Sequence, residues 1–414
     1  MKRAKNANPT AKPAYPDTTG QPLTGVTVLD LSHIYNGPYA TFLMAMGGAN
    51  VIKIEPREGE HLRIRAELGG AALPFAMLNS NKQSVALDLK TDEGRKLFLA
   101  MAAKADVVVE NFAPGVTERL GIGPEVLQKL NPRLIYASSS GYGRSGPYKD
   151  YPAMDLTVQA MCGVMSITGF PDRPPVKAGP ALCDFFAGIH LYGGIVTALY
   201  EREKTGKGRI VEISMQDSVY ASLASNLAMV HSRGGKVPPR TGNRHGGLAE
   251  APYNVYPTRD GFVAIICNNN RHFHGLLKAM GREELATDPR FLNLKTRIAH
   301  IDEVDALVES WTKTLPRAEL VELLLAHRVP HAPVRDLIEV MNDPNMHARG
   351  SLQWIEHPKY GRVALPRSPM QFAGTERLAL VPSSELGAAT HAVLGDWLGL
   401  SEEEIAALEA NGVI

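Results

Sequence analysis

Short β-branched runs alternate with amphipathic segments from Gly25 to Ser138, and this alternation constrains the fold more than any other feature of the chain. Strands that alternate with helices form βαβ units, whose strands lie parallel in one sheet. We predict strands at 27–32, 50–54, 106–110 and 133–138, with helices at 38–46, 91–104 and 124–130. The sequence therefore predicts a doubly wound α/β domain with its ligand site at the carboxyl ends of the strands.

The composition changes in the second half of the chain. Two long helices are predicted at 184–204 and about 215–229, with a strand at 209–213 between them. Residues 232–247 are rich in glycine, proline and basic side chains, which is typical of a linker or mobile loop. A smaller α+β unit follows, with a predicted strand at 262–267 and helices near 273–280, 304–315 and 318–327, before C-terminal helices at 388–398 and 401–411.

The bulk composition excludes several classes of protein. Lysine and arginine number 44 against 43 aspartate and glutamate residues, so net charge does not indicate nucleic acid or an anionic membrane as a partner. The three cysteines are scattered without metal-ligand spacing, which favours a reducing compartment and no metal site. We find no apolar run of the length that crosses a bilayer. We expect a cytoplasmic protein whose first twenty residues are disordered.

Asp184 stands alone in an uncharged stretch, directly before an apolar segment of helical periodicity that reaches Tyr200. A carboxylate in this place is either a helix N-cap or a reactive group held away from water. The local sequence leaves both interpretations open.

The segment 141–146, GYGRSG, matches the dinucleotide fingerprint GxGxxG after a predicted strand. That fingerprint needs a helix to begin at its third glycine, whereas Pro147 and Pro152 follow here. An NAD-dependent dehydrogenase is therefore only a lesser alternative. The sequence contains no GxSxG, GxxxxGK[ST] or HExxH motif. These motifs are the signatures of α/β-hydrolases, P-loop nucleotide-binding proteins and zinc proteases, so none of these three classes is indicated.

Five strings occur in order along nearly the whole chain: LTGVTVLDLSHIYNGP at 23–38, GANVIKIE at 48–55, NSNKQS at 79–84, VENFAPG at 109–115 and MQDS at 215–218. With these five strings in this order, the chain resembles the class III CoA-transferase family. That family includes formyl-CoA transferase, carnitine CoA-transferase and α-methylacyl-CoA racemase. The resemblance implies a Rossmann-like large domain built from both termini, a smaller α+β domain, and an interlocked homodimer. It implies acyl-CoA and small carboxylic acids as substrates and no tightly bound cofactor or metal.

With this resemblance, we predict the following domain boundaries. The disordered lead is 1–20, the first part of the large CoA-binding domain 21–230, the Gly-rich linker 231–249, the small domain 250–340, the return linker 341–369 and the C-terminal part of the large domain 370–414.

The resemblance also assigns roles to residues. Asp184 falls on the family's catalytic aspartate and Asp155 on an acidic position near it. The residues expected to bind CoA are His33, Ile34, Tyr35, Asn36, Arg57, Leu87, Lys90, Asn111, Phe112 and Arg119. Gly246 and Gly247 lie in 242–247, the nearest counterpart of the loop that closes over the site. Tyr35 stands where the formyl-CoA transferase branch has glutamine, so oxalate or formate specificity is not implied.

A carboxylate nucleophile suits CoA transfer, because one thioester is made as another is broken and a covalent intermediate preserves the activation. We expect an aspartyl anhydride and then an aspartyl-CoA thioester on Asp184. We also expect the helix N-terminus to keep Asp184 ionised at neutral pH. Arg144, Arg244 and His245 lie on predicted site loops and could hold a second carboxylate, which favours a dicarboxylic acid as substrate.

Two further interpretations stay open. The first is an acyl-CoA racemase that uses Asp155 as a base at the α-carbon. Against it, no histidine lies between His61 and His190, and Met154 stands where racemases tend to have histidine. The second is a CoA-binding protein without catalysis, in which Asp184 would be only a helix cap.

Overall fold

The computed structural model describes residues 16–64, 73–238 and 240–414. Residues 1–15 of the predicted disordered lead, and Pro239 of the predicted linker, lie outside the described residues. Contacts divide the chain into two units. The large unit comprises the chain up to Asp155, Leu182–Ser218 and Asp343–Ile414, and the small unit comprises Leu156–Ala181 and Val219–Asn342.

The strands of the described chain are β1 Thr27–Asp30, β2 Asn50–Glu55, β3 Gln83–Ala86, β4 Val107–Glu110, β5 Ile135–Ser140, β6 Ile210–Ser214, β7 Tyr253–Pro257, β8 Phe262–Ile266, β9 His331–Pro333, β10 Leu352–His357 and β11 Gly361–Pro366. The α-helices are α1 Asn36–Met46, α2 His61–Ile64, α3 Leu73–Asn79, α4 Asp92–Ala102, α5 Val116–Arg119, α6 Pro124–Leu130, α7 Asp155–Met161, α8 Val164–Ile167, α9 Leu182–Thr205, α10 Met215–Tyr220, α11 Ala224–Ser232, α12 Asn270–Met280, α13 Leu294–Ala299, α14 Ile301–Thr312, α15 Arg317–Ala326, α16 Leu337–Met341, α17 Pro344–Ala348, α18 Thr390–Ala392 and α19 Glu402–Ala410. Short 3₁₀ turns follow α10 and α12, and a π-helical turn, Val393–Trp397, continues α18.

The large unit contains a six-stranded parallel sheet in the order β3-β2-β1-β4-β5-β6. The chain builds outward from β1 to β3, then returns and builds outward in the other direction from β4. The order therefore reverses between β1 and β4, where Leu29 of β1 pairs with Val108 of β4. In open α/β sheets this reversal leaves a crevice at the carboxyl ends of the two strands. The prediction of a parallel doubly wound sheet is confirmed.

Both faces of this sheet are covered. Val28, Val107 and Val109 face one layer, where they pack with Leu191 and Ile195 of α9. The intervening Leu29, Val108 and Tyr136 face the other layer, together with Phe98 and Met101 of α4. Residues from the end of the chain, Ala389, Val393 and Val413, pack into the same second layer. Because successive side chains of a strand point to opposite faces, continuous apolar strands require a layer on each side.

The helix α9 is the long apolar helix whose start the sequence placed at Asp184. It spans 24 residues and is long and apolar enough to cross a membrane by length and composition. The sequence expectation that no run reaches that length is therefore wrong. Its buried positions, including Ala187, Leu191 and Ile195, recur every four residues and face the sheet, as in the core helix of a globular protein.

Sequence reasoning missed the edge strand β3. Its residues, QSVA, include two polar side chains and no alternating apolar pattern, but they pair in parallel register with β2. The predicted return linker 341–369 contains α17 and the antiparallel hairpin β10–β11, so this stretch is not a simple linker.

The small unit contains a three-stranded antiparallel sheet in the order β7-β8-β9. Its core includes Val263 and Ile265 of β8, Phe273 of α12, Val304 of α14 and Leu320 of α15. The mixed α+β character predicted for this part of the chain agrees with the structure.

Candidate active site

A cavity of about 320 Å³ lies in the large unit where the sheet order reverses. Its walls come from the segments that follow β1, β4 and β5 and from the first turn of α9. The described residues that line it are His33, Ile34, Asn36, His61, Asn111, Phe112, Ala113, Pro114, Ser139, Ser140, Gly141, Tyr142, Lys149, Tyr151, Pro152, Ala153, Met154, Asp184 and Met215. The cavity thus occupies the crevice that the strand order predicts.

The loop between β1 and α1 forms one wall and is held at several points. The His33 N–H donates to Asn111 Oδ1 and Asn111 Nδ2 donates to the His33 carbonyl, each at 2.8 Å, so the loop is tied to the end of β4. Ile34 has φ of +65°, which is unfavourable for a β-branched residue. Its N–H donates to Glu60 Oε2 at 3.1 Å. Strained backbone of this kind persists where its surroundings hold it, often at functional sites.

Buried charges lie behind this loop. Lys53 Nζ donates to the Ser32 carbonyl at 2.8 Å, and Lys82 Nζ contacts Asp30 Oδ2 at 2.9 Å. Burial opposes ionisation of Asp30, but the two lysines and the hydroxyl donors hold its pKa far below its ordinary value. Burial lowers the pKa of Lys82 to about 8 despite the attraction of Asp30. These buried charges and hydrogen bonds hold the loop in place from behind.

Asp184 lies in the first turn of α9 and is partly exposed to the cavity. The helix is capped instead by Asp155, whose Oδ1 accepts the N–H of Cys183 at 2.8 Å and that of Asp184 at 3.3 Å. Among the described residues no donor is hydrogen-bonded to the Asp184 carboxylate, which leaves it free to react. The interpretation of Asp184 as the cap is therefore wrong, and the cap is Asp155.

Burial, and secondly the charge of Asp155, raise the pKa of Asp184 from 3.8 to about 7. The expectation that the helix N-terminus keeps Asp184 fully ionised at neutral pH is corrected. Asp155 already occupies the first N–H groups of the helix, and desolvation outweighs the helix dipole, which is a weaker effect.

An aromatic cluster joins the start of α9 to α1 and the residue before it. Phe185, the next residue, stacks on Tyr35 with ring centroids 5.9 Å apart and meets Tyr39 edge-on at 5.0 Å. One turn further along α9, Gly188 approaches α1 so closely that a Cβ would lie 2.6 Å from the Asn36 carbonyl oxygen. Gly188 therefore sets the distance between the two helices.

A second cleft of about 350 Å³ shares a wall with the cavity, at Phe112, Ser139 and Lys149. It is lined by Arg119 and by Arg144, which is ion-paired with Glu118 at 2.7 Å. Glu110 lies at its base, where burial raises the pKa of the carboxyl to about 7.

The predicted site residues fall into three groups. His33, Ile34, Asn36, Asn111, Phe112 and Asp184 line the cavity, and Phe112, Arg119 and Arg144 line the second cleft. Four predicted CoA ligands, Tyr35, Arg57, Leu87 and Lys90, line neither cleft among the described residues. Arg57 and Lys90 are exposed, and the Leu87 side chain is buried in the core behind the sheet. Their role in CoA binding stays a prediction.

Four predicted residues belong to the small unit. Arg244 donates to Asp305 at 2.7 Å and to Asp302 at 2.6 Å, so its guanidinium is already paired. His245 Nδ1 accepts the N–H of Gly247 at 3.2 Å, and Gly246 packs against Asn226. These contacts describe the small unit alone, and the proposed roles of the four residues stay predictions.

Sequence reasoning missed several residues that line the cavity, among them His61, Lys149 and Tyr151. The signal was available for Lys149 and Tyr151, because they follow the GYGRSG segment at the end of β5. That segment continues to Met154 without a helix, as the sequence predicted, so the dinucleotide fingerprint lacks its helix. Among the described residues, no group of three or more His, Cys, Asp or Glu side chains could hold a metal ion.

Comparison with known proteins identifies relatives over most of the chain. An acetyl-CoA:oxalate CoA-transferase of Acetobacter aceti is 42% identical over 356 residues, which cover 85% of this chain and 90% of the relative. A formyl-CoA:oxalate CoA-transferase of Streptomyces avermitilis is 35% identical and covers 95% of this chain and 99% of its own. A succinyl-CoA–D-citramalate CoA-transferase of Chloroflexus aurantiacus is also 35% identical, over 95% of this chain and 98% of its own.

Solved structures agree with this result. A CAIB/BAIF family protein from Brucella suis has a TM-score of 0.79 and 36% identity, and the match covers 91% of this chain and 99% of that one. The sequence profile of CoA-transferase family III matches residues 23–390. This chain therefore belongs to CoA-transferase family III and is an enzyme of that class.

Proposed function

We propose that this enzyme transfers coenzyme A from an acyl-CoA donor to a dicarboxylic acid acceptor through covalent intermediates on Asp184. The observation that carries the proposal is the Asp184 carboxylate itself. It lies in the cavity at the strand-order reversal, and burial together with Asp155 raises its pKa to about 7. A carboxylate that is poorly solvated and carries no hydrogen-bond donor among the described residues is a stronger nucleophile than one in water.

The reaction needs no net proton transfer. An Asp184 oxygen attacks the donor thioester carbonyl, the C–S bond breaks, and CoA leaves as a thiolate with a mixed anhydride on Asp184. The thiolate attacks the Asp184 carbonyl, which releases the donor acid and leaves an aspartyl-CoA thioester. The acceptor carboxylate then displaces the thiolate, and the thiolate attacks the acceptor acyl carbon to regenerate Asp184.

The environment of Asp184 favours these intermediates. The free carboxylate is destabilised by burial and by Asp155, as the raised pKa of Asp184 records. Both the anhydride and the thioester are uncharged at Asp184, so acylation relieves the repulsion from Asp155 and the desolvation of the charge. The rings of Phe112, Tyr142 and Tyr151 line the cavity with Asp184 and help to exclude water, which would hydrolyse an anhydride.

The names of the relatives support a dicarboxylate acceptor. The three transferases described above are named for oxalate or D-citramalate, and each of these acids carries two carboxylates. The positive side chains of Arg119 and Arg144 line the second cleft and suit CoA phosphates.

Trapping with hydroxylamine tests the mechanism. Incubation with acetyl-CoA and hydroxylamine should convert Asp184 to a hydroxamate, seen as a mass shift on the peptide that contains it. The exposed Asp217, in the first turn of α10, provides an internal control that should not react. Transfer activity that persists in Asp184→Ala, without a hydroxamate, would contradict covalent catalysis at this residue.

We further propose that two chains form an interlocked homodimer, as the family resemblance implies. On α9 the side chains of Ile189 and Tyr200 are 50% and 66% exposed, which is unusual for large apolar groups on a core helix. The molecular mass in solution tests the dimer. Mixing tagged and untagged protein tests the interlock, since interlocked subunits should exchange only after unfolding. Free exchange in native buffer would argue against it.

A further inference from the structure

The charged side chains that line the cavity of Asp184 are few and opposite in sign. Among the described lining residues, Asp184 is the one acidic side chain and Lys149 is the one lysine or arginine. His33 and His61 are the remaining titratable groups with a basic atom. An acceptor with two carboxylates reacts through one and brings the other into this cavity as a full charge. Because an unpaired buried charge is costly, the second carboxylate needs a cation within the same walls.

We propose that Lys149 binds the non-reacting carboxylate of the acceptor acid and so determines the preference for dicarboxylates. This inference rests on the proposed function and names the group that selects its substrate class.

Lys149 is available for this role, whereas the arginines that sequence analysis suggested are engaged. Arg144 is ion-paired with Glu118, and Arg244 of the small unit is paired with two aspartates. The Lys149 ammonium makes no ion pair or hydrogen bond with any part of the chain that the structure describes. Its backbone N–H donates to the Gly146 carbonyl, so the lysine is anchored through its main chain and its side chain is free.

The loop that carries Lys149 is braced on both sides. Tyr148 and Tyr151 flank it, with ring centroids 5.1 Å apart, and both rings pack against Tyr142 at 6.1 Å. The Tyr151 N–H donates to the Tyr148 carbonyl at 2.9 Å, which closes a turn around Lys149. The backbone is thereby positioned, while the flexible four-carbon stem lets one ammonium reach diacids of different length.

The same lysine also borders the second cleft, where Arg119 and Arg144 lie. A CoA phosphate is therefore the alternative partner for the Lys149 ammonium, and the experiment must distinguish it from the acceptor carboxylate. Two acceptors that differ in one group allow this distinction. Succinate and its monoamide, succinamate, differ only in the second carboxylate, and acetyl-CoA is a donor without a charged acyl group.

Kinetics with these substrates would compare the full-length enzyme with Lys149→Met, Lys149→Arg and the control Lys129→Met. Lys129 is an exposed lysine at the end of α6, outside both clefts. We expect Lys149→Met to lower kcat/KM for succinate by about 10-fold to 100-fold, the range for losing a charged hydrogen bond. Its kcat/KM for succinamate and its KM for acetyl-CoA should stay unchanged. Lys149→Arg should recover part of the selectivity, and Lys129→Met should behave as wild type.

Two results would overturn the inference while leaving the proposed function intact. One is an equal loss for both acceptors with a raised KM for acetyl-CoA, which would assign Lys149 to CoA phosphates. The other is no loss at all. If the wild-type enzyme transferred CoA to neither acid, succinate would not be its acceptor, and calorimetric binding of the two acids would decide the role of Lys149. Tighter binding of succinate than of succinamate, abolished in Lys149→Met, would uphold the lysine's role, and equal binding would refute it.

Discussion

The raised pKa of Asp184 has a consequence for stability, because a charge that is desolvated on folding weakens the folded state. Replacement of Asp184 by asparagine keeps the size of the side chain and removes its charge. Since burial and Asp155 raise the pKa from 3.8 to about 7, the shift is about three units. At about 1.4 kcal/mol per unit, ionisation of this carboxyl costs the folded state up to about 4 kcal/mol. The partial exposure of Asp184 reduces this to about 2–4 kcal/mol.

The sign follows from the two protonation states. Well below pH 3.8 the carboxyl is protonated in both the folded and the unfolded chain, and Asp184 carries no penalty. As pH rises from about 4 to 7, the unfolded chain ionises first, and the free energy of unfolding falls. Above pH 7 the penalty is complete. The asparagine in Asp184→Asn does not ionise, so this variant should be more stable than wild type at pH 8. At pH 5 its gain in the free energy of unfolding over wild type should be less than half the gain at pH 8.

Thermal unfolding of the ligand-free proteins at pH 5 and pH 8 measures this difference. We expect Asp184→Asn to raise the unfolding midpoint at pH 8 by about 3–8 °C, as a gain of about 2–4 kcal/mol implies for a unit of this size. Glu125→Gln is the control, because Glu125 is an exposed acid in the first turn of α6. An Asp184→Asn variant no more stable than wild type at pH 8, or equally stabilised at both pH values, would refute the reasoning.

Two further predictions concern the neighbours of Asp184. Gly188→Ala should destabilise the protein by about 1–3 kcal/mol and reduce transfer, because its Cβ would lie 2.6 Å from the Asn36 carbonyl oxygen. Gly193→Ala, which meets nothing within 4 Å on the same helix, should be neutral or stabilising in the same denaturant titration. Asp155→Asn should lower the pH midpoint of Asp184 acylation by about one unit, because it removes the like charge. An unchanged midpoint would mean that desolvation alone raises the pKa of Asp184.

The architecture of the large unit was accessible from the sequence. Apolar runs such as 106–110 and amphipathic segments such as 124–130 carry their own periodicity, so the strands, the helices and the parallel sheet were predicted correctly. The ordered strings identified the family and pointed to Asp184. The prediction from periodicity missed the strand β3. This short polar segment has no apolar pattern of its own, and it is a strand because it pairs with β2.

Only the tertiary structure decided what surrounds Asp184. Asp155 precedes it by 29 residues, yet its carboxylate caps α9 and repels the Asp184 charge. Lys149 enters the same cavity because the loop after β5 meets the loop after β1 where the strand order reverses. The sequence by itself determined most of the helices and strands, since these depend on local pattern, and the family, whose resemblance singled out Asp184. The pKa of Asp184 and the identity of its charged neighbours depend on desolvation and long-range proximity, which exist only once the chain has folded.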